Sequence, residues 1–192
     1  MKFVIDLNKL GSVDEALKNL EQVQERIEEY CKQLTQRLST RGAEIARINF
    51  SNAVCTGVND ANVDFKLSDD GKKGTVYADG NAVLFIEFGT GITKPDNQEE
   101  RDNLISGNVV GHGEYGAKAM NPHGWFYKGV KGNAPDDTTD AYRVLKDGTR
   151  VPRPGIVHTY GNEANSSMWY SKLQLENQFT EIAKEVWEEV MK

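Results

Sequence analysis

Between residues 12 and 39, apolar side chains recur every three or four positions: Val13, Leu17, Leu20, Val23, Ile27, Tyr30, Cys31, Leu34 and Leu38. That spacing puts them on one face of a helix whose other face is Glu, Gln, Lys and Arg. Ser12 ahead of the run, with Glu15 three positions later, has the pattern of a capping box. At 1.5 Å per residue such a helix is about 40 Å long. A compact chain of 192 residues has a comparable diameter. So long a one-sided helix needs a sheet or a second helix laid along it. Residues 41–53 either continue it or bend from it at Gly42, with Ile45, Ile48 and Phe50 as apolar contacts. Helical spacing returns over 165–191, at Met168, Leu175, Phe179, Ile182, Val186 and Val190. Trp187 falls one residue off that stripe, on its edge.

The middle of the chain changes period. Residues 62–67 alternate as a strand does, 69–72 read as a turn, and 73–78 as a second strand. Asp79-Gly80-Asn81 carries a hairpin signal. Residues 82–88 then read as a third strand, with Val83, Phe85 and Glu87 on one face and Leu84, Ile86 and Phe88 on the other. Short turns make these an antiparallel meander. Residues 92–157 are rich in Gly, Pro, Asn and Asp and read as a loop-rich insertion. Trp125-Phe126-Tyr127-Lys128 and Tyr142-Arg143-Val144-Leu145 are its strand-like pieces, and its tips over 94–120 are expected to be mobile. The expected fold is α+β in a single domain, 1–192: a long N-terminal helix and a C-terminal helix packed on a small antiparallel sheet.

The net charge of −6 argues against general nucleic-acid binding, which needs a basic footprint, and against attraction to anionic membranes. No apolar run approaches the ~20 residues of a membrane-spanning helix. The start, Met1-Lys2-Phe3-Val4-Ile5-Asp6-Leu7, reads as a first strand rather than a signal peptide. Cys31 and Cys55 lie on different elements and are expected to be free thiols, Cys31 on the apolar face of its helix.

Glu87 is the chemically informative residue. It sits among apolar neighbours, where a charge is costly unless paired, just before Gly89-Thr90-Gly91. A general base, a metal ligand and a structural acceptor are all open to it. The structural role is the expected one, with donors in the Gly89-Thr90-Gly91 turn or on a neighbouring basic side chain. His112, His123 and His158 lack ligand spacing, His112-Gly113-Glu114 is a weak metal pair, and residues 111–116 do not have the context of a phosphate loop. Thr90 and Ser166 lack the His and acid spacing of an activated nucleophile. Trp125, Trp169 and Trp187 fit core or interface anchoring, with Trp187 an interface candidate. No metal and no cofactor is expected.

The stretch Gly80-Asn81-Ala82-Val83-Leu84-Phe85-Ile86-Glu87-Phe88-Gly89-Thr90-Gly91 resembles the Glu-Phe-Gly-Thr-Gly element of the small tail-component proteins of tailed bacteriophages and prophages. His158-Thr159-Tyr160-Gly161-Asn162-Glu163-Ala164, leading into Met168-Trp169, resembles that family's entry to its last helix. Gly124-Trp125-Phe126-Tyr127 is similar to an aromatic strand of its longer prophage members. The chain departs from the family after its first helix, where Val54-Cys55-Thr56-Gly57-Val58 lacks the family's proline and leucine. The resemblance implies a non-enzymatic virion protein, a tail-completion or head–tail joining component, present in the bacterial host cytoplasm during assembly and then in the virion. It implies a homo-oligomeric ring, six-fold, between tail-tube and head-connector proteins. Glu87, Phe88, Gly89, Thr90 and Gly91 would form its structural motif. The residues themselves add Val13, Leu17 and Leu20 to Trp187 as interface candidates, since so long a helix has ends that a small sheet leaves uncovered. Two other readings compete: a small hydrolase or metal-dependent enzyme gathering Glu87 with the three histidines, and a host binding module that grips a ligand with its 92–157 loops.

Overall fold

The computed structural model describes residues 11–89, 125–135, 137–138, 142–162 and 164–192. The first strand expected at 1–7, the tips at 94–120, Thr90, Gly91, His112 and His123 lie outside the described residues. The fold is α+β. Helix α1 (Ser12–Ser51) is followed by strands β1 (Asn62–Leu67) and β2 (Gly74–Asp79) and a short helix α2 (Val83–Phe88). Then come β3 (Trp125–Lys128), β4 (Tyr142–Val144), β5 (Arg150–Pro152), β6 (Ile156–Thr159) and the closing helix α3 (Ser167–Val190).

Helix α1 is one element of 40 residues, about 60 Å of rise. It passes through Gly42 unbroken. A Cβ there would lie 3.2 Å from Leu175 and 3.3 Å from Val76, so glycine lets both neighbours approach the helix backbone. The described strands form three two-stranded sheets, β1–β2, β3–β6 and β4–β5, where one small sheet was expected. Strand β3 meets β6 antiparallel from Trp125↔Thr159 to Lys128↔Ile156. Strand β4 meets β5 antiparallel from Tyr142↔Pro152 to Val144↔Arg150.

The expected third strand is wrong. Residues 83–88 are helical, so the meander stops at the β1–β2 hairpin. The alternation of Val83-Leu84-Phe85-Ile86-Glu87-Phe88 fits either period over so short a run. Tertiary bonds settle it. The Asp60 carboxylate takes the N–H groups of Asn81 (2.9 Å) and Ala82 (2.8 Å) at the start of α2. At its end the Asn162 amide donates to the Phe85 carbonyl at 3.0 Å. One helical turn drives Ile86 into full burial and leaves Leu84 and Phe85 66% and 53% exposed.

The chain clusters into two compact units. The first holds the residues up to Gly42, Phe65–Val76 and Leu175–Lys192. Within it α1 and α3 run antiparallel. Arg41 Nε donates to Gln178 at 2.9 Å, Arg37 Nη2 to Glu189 at 2.9 Å, and the Tyr30 hydroxyl to the Ala183 carbonyl at 3.4 Å. Tyr30 also meets Trp187 edge-on, with ring centroids 5.3 Å apart. Ile182 and Val186 are buried, and Cys31 is exposed although its helical spacing places it on the apolar stripe. The second unit holds Ala43–Asp64 and Tyr77–Gln174. Its core is Ala43, Ile45, Ala46, Phe50, Ala53, Cys55, Val63, Ala82, Ile86, Ala134 and Val157. Ile48, expected among those contacts, is exposed. No helix among the described residues is long and apolar enough to cross a membrane.

Candidate functional site

The second unit contains Glu87 on the last turn of α2, facing the first turn of α3. Glu87 Oε2 accepts the Met168 N–H at 2.8 Å and Oε1 accepts the Trp169 N–H at 3.3 Å. The first N–H groups of a helix lack partners within it, and an anion there also meets the positive end of the helix dipole. The acid therefore does for α3 what a capping side chain does, from a different element. The backbones are joined at the same place. Asn165 donates its N–H to the Ile86 carbonyl at 2.8 Å, and Ser166 donates to the Glu87 carbonyl at 3.0 Å. Ser166 adopts a φ of 49° to make this turn.

Burial pushes the Glu87 carboxyl above its usual 4.5, while the N–H groups of Met168, Trp169 and Ser167 pull it down. The donors expected for Glu87 were the Gly89-Thr90-Gly91 turn or a basic side chain; Thr90 and Gly91 lie outside the described residues, and the described bonds come from α3. Gly89, at φ 79°, closes α2 by donating its N–H to the Phe85 carbonyl at 2.9 Å. Phe88 is half-buried beside it. Deeper along α3, Asn49 Nδ2 donates to Ser171 Oγ at 2.8 Å, and Ser171 Oγ donates to the Ser167 carbonyl at 2.6 Å. On the outer side the Lys172 ammonium lies 4.6 Å from the Trp169 ring centroid.

A second polar cluster organises the segment that follows α1. Three asparagines serve its irregular backbone. Asn165 accepts the Val54 N–H (2.9 Å) and donates to the Val54 carbonyl (2.7 Å). Asn133 accepts the Cys55 N–H (2.7 Å) and donates to the Ala53 carbonyl (3.1 Å), and Asn162 accepts the Thr56 N–H (3.3 Å). Side-chain amides thus stand where a neighbouring strand would, pairing backbone groups that no strand reaches. Asp137, almost fully buried, accepts the Gly132 N–H at 3.2 Å, the Tyr127 hydroxyl at 3.3 Å and the Thr56 hydroxyl at 3.5 Å. Burial first, and then the Asp137 charge, push Tyr127 up to about 12. Burial likewise raises the Cys55 thiol, and the Asp137 and Asp60 charges push it the same way.

Few of the candidate residues come together. His158 lies in β6 between the rings of Phe126 and Tyr160, at 4.8 and 4.9 Å. Among the described residues no group of three or more His, Cys, Asp and Glu side chains could hold a metal ion. Val13, Leu17 and Leu20 are 50–54% exposed, and Trp187 is 49% exposed with one edge against Tyr30. Asp60, Asp137 and the three asparagines were not recognised from the sequence. Their only sequence signal is the frequency of Asn and Asp at turns, which does not say what they bond. Family models, curated proteins and solved structures were compared with the chain, and none of them matches it.

Proposed function

We propose that this chain is a non-enzymatic structural protein of a tailed phage or prophage, a tail-completion or head–tail joining component that works as one subunit of a ring. The observation that carries this reading is the half-exposed apolar face of α1, where Val13, Leu17, Leu20 and Ile27 are 45–54% exposed in sequence order along one helix. A stripe of large apolar side chains on a protein of net charge −6 is unusual for a surface that meets only water. Glu87 supports the same reading. Its two oxygens are engaged by the backbone of α3, which makes it a fastener between two helices. The resemblance of residues 80–91 and 158–169 to phage tail components supplies the identity of the assembly. The negative balance suits a ring around the path of DNA, since it would not retain the strand during passage.

The test is incorporation. Tagged protein, mixed with purified tail tubes and head connectors, is expected to appear as rings at the tube end by electron microscopy and to leave DNA unretained at moderate salt. Absence from every tail and head part would overturn the reading, as would micromolar, salt-sensitive DNA binding.

A further inference from the structure

Two surfaces of opposite character lie on different parts of this chain, and both expose large apolar side chains among the described residues. The first is residues 12–29 of α1. Val13, Leu17, Leu20 and Ile27 follow one another at intervals of four, three and seven, and are 45–54% exposed. Asp14, Glu21 and Glu28 each come one residue after a member of this stripe, so one turn-step of about 100° sets them along a single edge of it. Six acidic residues against two basic ones leave 12–29 at −4. The second surface is the β4–β5 hairpin. Tyr142 pairs with Pro152 and Val144 with Arg150, so these four side chains share one face. Tyr142 is 45% and Val144 60% exposed, and the Arg150 guanidinium lies 4.5 Å from the Tyr142 ring centroid. Residues 142–153 hold Arg143, Lys146, Arg150 and Arg153 against Asp147 alone, a charge of +3 in a chain of −6.

We propose that the β4–β5 hairpin of one copy docks on residues 12–29 of α1 in the next copy. The proposal rests on the ring reading above and names its contact. The occupant follows from charge. Pairing α1 with α1 would bring −4 against −4, and pairing hairpin with hairpin would bring +3 against +3; like charges across an interface cost several kcal/mol. Hairpin on α1 joins opposite charges and covers apolar side chains on both sides. A contact between two unlike patches repeats from copy to copy and gives a ring where its rotation closes.

The experiment uses the full chain in sedimentation velocity and chemical crosslinking, at low and high salt, with circular dichroism as the folding control. One variant carries Asp14→Lys, Glu21→Lys and Glu28→Lys, which takes residues 12–29 from −4 to +2; the other carries Lys146→Glu, Arg150→Glu and Arg153→Glu, which takes residues 142–153 from +3 to −3. Each alone is expected to weaken self-association at least about tenfold. An equimolar mixture of the two, and a chain carrying all six changes, should regain it, because each reversed surface then finds its opposite. Three results would overturn the contact: a wild-type chain that neither associates nor crosslinks at its highest soluble concentration, variants that associate as the wild type does, or folded variants that no mixture restores. The phage reading fails separately. Charge-paired self-association in a chain that never joins tails or connectors would leave the contact standing and that reading overturned. Normal incorporation of both single-surface variants would do the reverse.

Discussion

The Glu87 carboxylate bonds the Met168 N–H at 2.8 Å and the Trp169 N–H at 3.3 Å, so its worth is read in the stability of α3. Glu87→Ala removes a capping acceptor and should cost about 0.5–2 kcal/mol in denaturant melts. Its titration gives a second readout. The folded carboxyl titrates above the usual 4.5 because burial outweighs its N–H donors. The native state therefore holds the proton more tightly than the unfolded chain does. This group's contribution is fully present below the ordinary value and is lost as pH rises through the raised one. Wild type should accordingly gain stability over Glu87→Gln on acidification through that window. A pH-independent gap between the two would show that Glu87 does not titrate in this environment. Gly132 is a separate case. A Cβ there would collide with the backbone of Cys55 and Gly57, rigid atoms rather than side-chain ends. Gly132→Ala is expected to cost roughly 1–3 kcal/mol, the usual penalty for overpacking, with the melt midpoint falling to match.

At the scale of elements, the sequence was most readable where its period ran longest. The apolar recurrence over 12–39 and 165–191 gives α1 and α3 because a stripe several turns long fits no other structure. The β1–β2 hairpin follows from alternation bounded by turn residues, and the strand-like pieces at 125 and 142 follow from their aromatic and β-branched content. Helix α2 was not readable. Its six residues are too short a run for their period to tell helix from strand, and its two ends are held by Asp60 and Asn162, residues 22 and 77 positions from the backbone groups they bond. The Glu87 site was half readable: the apolar setting of the acid was evident, but its donors lie 81 and 82 residues downstream. The pairing of α1 with α3 offers a test at this scale. Arg37 reaches Glu189 at 2.9 Å with both side chains about half exposed, so Arg37→Ala should cost no more than about 1 kcal/mol. The edge-on Tyr30–Trp187 pair should carry more of the specificity. A double-mutant cycle with Tyr30→Leu and Trp187→Leu is expected to give a coupling of about 0.5–1.5 kcal/mol, and a coupling near zero would mean that the rings merely adjoin.

For the whole molecule, the two ends of α1 differ in how far the fold covers them. The segment 43–51 places Ile45, Ala46 and Phe50 in the core of the second unit, whereas Val13, Leu17 and Leu20 remain 50–54% exposed. Substitutions in the first group remove packing and should unfold the chain. Substitutions in the second act on surface that the fold leaves half in water, where a change moves stability by only about 0.5 kcal/mol. The triple variant Val13→Ser, Leu17→Gln, Leu20→Gln should therefore keep the wild-type circular dichroism and nearly its melting temperature. Association is another matter. Covering the exposed half of three such side chains against a neighbour is worth about 2–4 kcal/mol in total, roughly 30- to 1,000-fold in affinity. The variant should remain folded, sediment as the smallest species wild type shows, and fail to replace wild type in phage assembly. The two measurements belong together. A variant that unfolds would place these residues in the chain's own core. One that stays folded and assembles normally would remove α1 from the contact and leave its apolar stripe without a function in assembly.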